Sequence, residues 1–101
     1  MSKETYKLTW LQSTSSVANE QEVKAVIGGQ PEVVIASGLV MTVGFIQFDF
    51  DTDVNVEWFV RTYNEDKSKI ADSVHATFVA TNEEPLAAAT NLSSAWVAHL
   101  P

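Results

Sequence analysis

The chain has 101 residues, which is the size of one small domain with one modest hydrophobic core. Thirteen acidic residues against six basic residues give a net charge of −7, and six scattered cations are too few to neutralise a nucleic-acid backbone. The absence of cysteine excludes a disulfide framework and a thiolate metal site. No segment approaches the roughly 20 apolar residues of a membrane-spanning helix, so we do not expect a membrane as a partner. Because of the charge balance, we do not expect nucleic acid as a partner either.

The first part of the chain alternates apolar and polar residues with the two-residue period of a β-strand. This pattern predicts a first strand over residues 6–10, a polar loop over residues 13–20 and a second strand over residues 22–27. The second strand is followed by Gly28 and Gly29, and such a dipeptide suits a tight hairpin turn because glycine tolerates positive φ.

The middle of the chain is the most apolar part. A third strand is predicted over residues 32–36, and Ser37 and Gly38 then predict a second turn. Residues 39–50 predict one long strand, which is bent or buried on both faces because it carries too many phenylalanines for one face. An acidic turn over residues 51–53 follows.

Two further strands are predicted from residue 54 onwards, and a polar turn at residues 64–67 joins them. The first of them directs Val56, Trp58 and Val60 to one face, and the second, over residues 70–80, resumes the apolar pattern. Six β-segments at this spacing, with no amphipathic helix between them, predict an antiparallel sandwich or barrel.

Three sequence features are shared with one large sandwich family. Trp10, in KLTWLQS, stands where the family has a core tryptophan; VEWFVRTYN at residues 56–64 is similar to its penultimate strand; and residues 71–73 fit the approach to its last strand. Residues 6–82 resemble a fibronectin type III domain, or a close immunoglobulin-like relative, beginning at its second strand. The resemblance implies an all-β antiparallel β-sandwich whose first strand is missing.

Two departures from the family pattern matter for the fold. Val56 stands where the family usually has a tyrosine that anchors a corner by a hydrogen bond. Only five residues precede Tyr6, so the first strand of the family has no counterpart there. A sandwich without that strand exposes a sheet edge whose backbone groups lack partners.

The composition changes after residue 82, so we divide the chain into a sandwich domain, 1–82, and a C-terminal docking tail, 83–101. The tail could fold back as the missing edge strand, form a short helical turn, or dock on another molecule. We expect docking on a partner or a neighbouring subunit. The residues predicted to bind that partner are the large apolar residues of the tail: Leu86, Leu92, Trp96, Val97 and Leu100.

The outward face of the penultimate strand carries an aromatic and cationic stripe, which consists of Phe59, Arg61 and Tyr63. Such side chains concentrate binding energy in a small area, so the stripe predicts a site for a carbohydrate or a protein. Partial coverage of this strand by loops is the alternative.

The acidic series Asp49, Asp51 and Asp53 is the best candidate for a metal site, because calcium prefers carboxylate oxygens. An EF-hand loop would need glycine and glutamate where Val54 and Val60 stand. We therefore interpret the series as a solvated strand face with only a weak calcium signal, and we expect neither a metal nor another cofactor.

The sequence offers no catalytic constellation. His75 and His99 are the only histidines, and Ser73 shares a strand face with His75, but no oxyanion-hole or nucleophile-elbow motif accompanies them. We therefore expect a protein that is not an enzyme.

Two functions are consistent with these patterns. The first is a structural or interaction protein of a tailed-bacteriophage particle, specifically a capsid decoration protein that docks through its tail on a capsid or other virion protein, or forms a homo-oligomer. The N-terminus shows no signal-peptide pattern, so we expect synthesis in the cytoplasm and residence in the virion. The alternative is a carbohydrate- or protein-binding fibronectin-like module that uses the stripe.

Overall fold

The computed structural model describes residues 2–81 and 92–101 and contains only β-strands as regular elements within them. This confirms the predicted all-β class. The strands, in chain order, are β1 (Lys3–Trp10), β2 (Glu20–Ile27), β3 (Val33–Val40), β4 (Phe45–Asp51), β5 (Asn55–Tyr63), β6 (Ile70–Asp72), β7 (Ala76–Val79) and β8 (Leu92–Leu100).

The strands form two antiparallel sheets. The small sheet has the order β4-β1-β8, and the large sheet has the order β3-β2-β5, with β6 and β7 pairing in succession along the outer side of β5. Because the two sheets pack face to face and do not close into a barrel, the predicted antiparallel β-sandwich is confirmed.

The core lies between the sheets and is built from the alternating inward residues of β1, β2 and β5. Trp10 and Trp58 meet edge to face with ring centroids 6.4 Å apart, and Tyr6 lies 4.5 Å from the ring of Phe78. Gln21 is fully buried and accepts a 2.7 Å hydrogen bond from the indole nitrogen of Trp10. Its amide nitrogen donates to the carbonyl oxygens of residues 40 and 43, so this buried polar group is satisfied.

The predicted turn at Ser37 and Gly38 is wrong. Both residues lie inside β3, where Gly38 has a φ of 65° and the register with β2 shifts. Glycine at positive φ serves a β-bulge as well as a turn, so the sequence signal was ambiguous. The chain turns at residues 41–44 instead, where the amide of Val43 donates to the carbonyl of Val40 over 3.1 Å.

The predicted long strand over residues 39–50 is also wrong, because this segment crosses from the large sheet to the small sheet. Its first residues end β3 and its last residues form β4. The excess of phenylalanines follows from the crossing: Phe50 points into the core, whereas Phe45 lies at the exposed start of β4. The predicted strand over residues 70–80 is likewise two strands, separated at residues 73–75.

The hairpin turn predicted at Gly28 and Gly29 is confirmed. The two residues have φ values of 60° and 74°, and the amide of Gln30 donates to the carbonyl of Ile27 over 3.1 Å. Consecutive positive φ values match the right-handed twist of the flanking strands, so this turn fixes the register of β2.

We predict that Gly28→Ala destabilises the fold more than Gly29→Ala. In each variant, the left-handed backbone conformation costs alanine about 1 kcal/mol relative to glycine. A Cβ on residue 28 would additionally lie 3.1 Å from Cγ2 of Val54, whereas a Cβ on residue 29 would meet nothing within 4 Å. Urea unfolding of the two variants measures the difference, and an equal loss of unfolding free energy would contradict the prediction.

Candidate functional site

The edge of the small sheet beside β1 is occupied by β8. The two strands pair antiparallel from Lys3 opposite Leu100 to Trp10 opposite Leu92, so β1 has a hydrogen-bonded neighbour on both sides. Of the arrangements considered for the C-terminal tail, its described residues therefore have the one in which the chain folds back on its own sandwich as an edge strand. We call this position beside β1 the β8 seat.

β8 supplies part of the hydrophobic core. Leu92 is 2% exposed and lies within the cluster of buried residues between the sheets. The indole nitrogen of the fully buried Trp58 donates a 2.9 Å hydrogen bond to the hydroxyl of Ser94. The strand thus gives the core both an apolar side chain and the acceptor for a buried donor.

A bulge in β8 brings two polar aromatic side chains to one carboxylate. Tyr6 lies opposite Trp96 and Thr5 lies opposite Ala98, so Val97 is an extra residue in the ladder. The extra residue reverses the alternation, and Trp96 and His99 both reach Glu4 on β1. The indole nitrogen of Trp96 donates to Oε1 over 3.0 Å, and Nδ1 of His99 lies 2.5 Å from Oε2.

The carboxylate of Glu4 is buried but remains satisfied. Its side chain has no exposed surface, and the hydroxyl of Thr52 donates to Oε2 over 2.7 Å. Burial raises the pKa of Glu4, but the hydrogen bonds from Trp96, Thr52 and His99 outweigh burial and hold that pKa below its ordinary value. Glu4 is therefore ionised at neutral pH and ties β1 to β8 and to the turn after β4.

The five residues predicted to bind a partner occupy different environments. Leu92 is buried in the core of its own chain, and Trp96 is partly buried against that core. Val97 and Leu100 are about two-fifths exposed on β8. Leu86 lies outside the described residues.

The stripe of Phe59, Arg61 and Tyr63 lies on the outer face of the large sheet, and its aromatic face is covered. Phe59 is 3% exposed because the ring of His75 stacks on it at 4.3 Å with an interplanar angle of 4°. The same imidazole contacts Glu57 through Nδ1. A ligand would have to displace this stack to reach Phe59.

The polar groups of the stripe are also engaged within the protein. Arg61 binds Asp72 through two parallel hydrogen bonds of 2.7 and 2.9 Å, and its guanidinium holds the pKa of Asp72 below the ordinary value. The hydroxyl of Tyr63 donates to Glu22 over 2.9 Å. These contacts join β5 to β6 and to β2, so the stripe stabilises the large sheet.

The acidic series lies along the end of β4 and the following turn. Asp49 accepts a 2.6 Å hydrogen bond from Thr5, and Asp51 pairs with Lys3 at 2.9 Å. Asp53 lies in the turn with a φ of 67°. Within residues 2–81 and 92–101, no three histidine, aspartate or glutamate side chains are grouped closely enough to hold a metal ion.

A surface that the sequence analysis missed is the outer edge of β3. Among the described strands, β3 pairs only with β2, and its eight residues carry no charge. Val33, Val34 and Val40 are 45%, 50% and 60% exposed. The available signal was a run without a charged residue from residue 33 to residue 48, but the turn predicted at Ser37 and Gly38 divided it. We call this surface the β3 edge.

Comparisons with protein-family models, with curated proteins and with solved structures found no match to this chain. Among the residues that the structure describes, there is no helix long and apolar enough to cross a membrane.

We predict that Leu92→Ala lowers the free energy of unfolding by roughly 3 kcal/mol, because it removes a buried side chain and leaves a cavity between the sheets. The matched control is Leu100→Ala in the same strand, where the side chain is 39% exposed and the loss should stay below about 1 kcal/mol. Urea unfolding measures both. Equal effects would mean that β8 does not occupy its seat in solution.

We predict that Glu4→Gln lowers stability at neutral pH and that its deficit relative to wild type shrinks on acidification. The pKa of Glu4 is lower in the folded chain than in the unfolded chain, so its ionised form stabilises the fold at neutral pH. This stabilisation is lost as the pH falls below the ordinary glutamate value of about 4.3 and through the lower value of the folded state.

Urea unfolding from pH 7 to pH 3 measures this deficit, with Glu65→Gln at an exposed turn position as the control. A deficit that is constant across the range would show that ionised Glu4 does not stabilise the fold.

Proposed function

We propose that this protein is a non-enzymatic interaction protein that binds another protein by strand addition at the β3 edge. The observation that supports the proposal is the edge itself: an eight-residue strand without charge, in a chain whose net charge is −7. An unpaired strand edge offers backbone donors and acceptors to an incoming strand, and side-chain pockets beside it give specificity.

Two other outer edges of the sandwich, formed by β4 and by β6 with β7, are less suited to strand addition, and the edge formed by β8 is interrupted by the bulge at Val97. The β4 edge carries Asp49 and Asp51, and the pairing on the far side of the large sheet is interrupted at residues 73–75. Charged residues and interruptions are devices that keep edges from pairing with other chains. On β3 the register with β2 shifts twice, once at Ser37 and Gly38 and once within residues 34–36, so the regular stretches of the edge are short and a short partner strand fits best.

We further propose that the partner is a capsid or other virion protein of a tailed bacteriophage, for which this protein serves as a decoration protein. The net charge of −7 is compatible with this setting, because it gives the chain no electrostatic affinity for packaged nucleic acid. We also infer that the sandwich is fibronectin type III-like and that β8 stands in for the missing first strand, since β8 fills the edge that such a domain would otherwise leave open.

No observation favours ligand binding by the stripe as a second function. A ligand at Phe59 would have to break the stack with His75, and a ligand at Arg61 would have to break its double hydrogen bond to Asp72. The second contact connects β5 to β6, and the first holds the segment between β6 and β7 against β5, so binding would cost part of the stability of the large sheet.

We predict that Val34→Glu abolishes partner binding without unfolding the protein. The new carboxylate would place a charge on the edge, and position 34 is half exposed and lies opposite Lys24, which already pairs with Glu32 at 3.1 Å, so the charge stays in water beside a cation. The matched control is Val17→Glu, which changes a 60% exposed valine in a loop away from the edge.

The measurement is affinity capture from the cells or particles in which the protein occurs, with wild type, V34E and V17E as baits. We expect one protein to be retained by wild type and V17E and lost from V34E. If that protein is a capsid subunit, the proposed role as a decoration protein is supported. Retention by all three baits would contradict binding through the β3 edge.

A further inference from the structure

We propose that β8 is an exchangeable strand, so that the β8 of one copy occupies the β8 seat of a second copy and two chains form a closed dimer. This proposal concerns the small sheet and is independent of the β3 edge. It follows from three features: the chemical specificity of the β8 seat, the single connection that joins β8 to the rest of the chain, and the distance that this connection can span.

The seat requires a particular side chain at each inward position of the strand. It takes an apolar residue beside the core, which is Leu92, and an acceptor for the buried indole of Trp58, which is Ser94. It then takes two hydrogen-bonding rings on Glu4, and these are Trp96 and His99, brought to one side by the bulge.

An empty seat would be costly. Without β8, the indole of Trp58 loses its hydrogen bond to Ser94, and the buried carboxylate of Glu4 loses Trp96 and His99. Leu92 is also withdrawn from the core, so the apolar surface that it covers becomes exposed to water, which is unfavourable. A departing β8 must therefore be replaced by a strand with the same pattern, and the β8 of a second copy supplies that pattern in full.

The connection of β8 to the sandwich permits the exchange. Among the described strands β8 has ladder pairing only with β1, so it can leave one seat and enter another as a unit once the hydrogen bond from Trp58 to Ser94 is broken. Ten residues, 82–91, lie between the last described residue after β7 and Leu92. At 3.3–3.6 Å per residue such a segment spans at most about 35 Å, which is comparable with the longest dimension of the molecule, 41 Å.

Exchange replaces the pairing of β8 with β1 by the same pairing in a second copy, so a higher concentration shifts the balance towards the dimer. A strand joined to its own seat by a connection of ten residues competes for that seat at an effective concentration of roughly millimolar. Free chains at micromolar concentration should therefore be monomers, whereas chains held at high local concentration should exchange strands. The inference thus predicts a dimer that forms slowly and only at high concentration.

The absence of cysteine allows a direct test with single-cysteine variants. Thr9 on β1 lies opposite Ser93 on β8, and neither residue is part of the core. Thr9→Cys and Ser93→Cys chains, one of them isotopically labelled, are mixed at millimolar concentration under reducing conditions and then oxidised. We expect a covalent heterodimer joined between residues 9 and 93.

Two controls identify the origin of the crosslink. Replacing Ser93→Cys by Val97→Cys moves the thiol away from residue 9 along β8 and should reduce the heterodimer to the level of random collisions. A double variant, Thr9→Cys with Ser93→Cys, should close within one chain at low concentration and then remain a monomer at every concentration.

Light scattering of the wild-type chain provides an independent measurement. We expect a monomer at micromolar concentration and a dimer fraction that grows towards millimolar concentration, and the oxidised double variant should not form this dimer. A wild-type chain that stays monomeric at millimolar concentration would overturn the proposal. A dimer that forms equally well from the oxidised double variant would also overturn it, because a locked β8 cannot be exchanged.

Discussion

The small sheet covers the core only if its central strand, β1, has a hydrogen-bonded neighbour on each side. β4 provides one neighbour and β8, from the other end of the chain, provides the second. The inward residues of β1 include Tyr6 and Trp10, two large side chains of the core, and also Glu4, whose buried charge is balanced by donors on β8 and on the turn after β4. The closure of the sandwich therefore depends on one long-range strand pairing and one buried carboxylate.

Many polar side chains of the protein likewise form contacts within the core or between neighbouring strands. The indoles of Trp10, Trp58 and Trp96 all donate to polar side chains within the protein. On the outer face of the large sheet, the ion pair of Arg61 with Asp72 joins neighbouring strands. Phe59 and Arg61, which the sequence pattern presents as binding residues, are thus engaged in contacts within the protein.

The alternation of apolar residues predicted the strands because it reports directly which side chains face the core. Gly28 and Gly29 predicted a turn that exists, since two consecutive positive φ values have few other uses in a short connection. Gly38 has the same kind of φ but forms a bulge, because the residues on either side of it continue to pair with β2. Local sequence does not distinguish these outcomes, since the difference lies in the partner strand.

The location of β8 was beyond sequence reasoning for a similar reason. Leu92, Trp96 and Leu100 recur every four residues, which is compatible with a helical turn as well as with a strand. Where these side chains pack depends on the pairing of β8 with β1, at the other end of the chain. The bulge at Val97 is visible only in the register with β1. Glu4 was not singled out at all, because a lone glutamate near the start of a strand is usually solvated.

Sheet closure by β8 can be tested most directly by amide hydrogen exchange of the full chain, followed residue by residue by NMR. A β8 that is hydrogen-bonded to β1 should show amide protection on its β1-facing side comparable with that of β1 itself. The account would be contradicted if all β8 amides exchanged hydrogen at the rates of an unstructured peptide while the amides of β1 and β4 stayed protected. In that case the C-terminal strand would not close the sandwich.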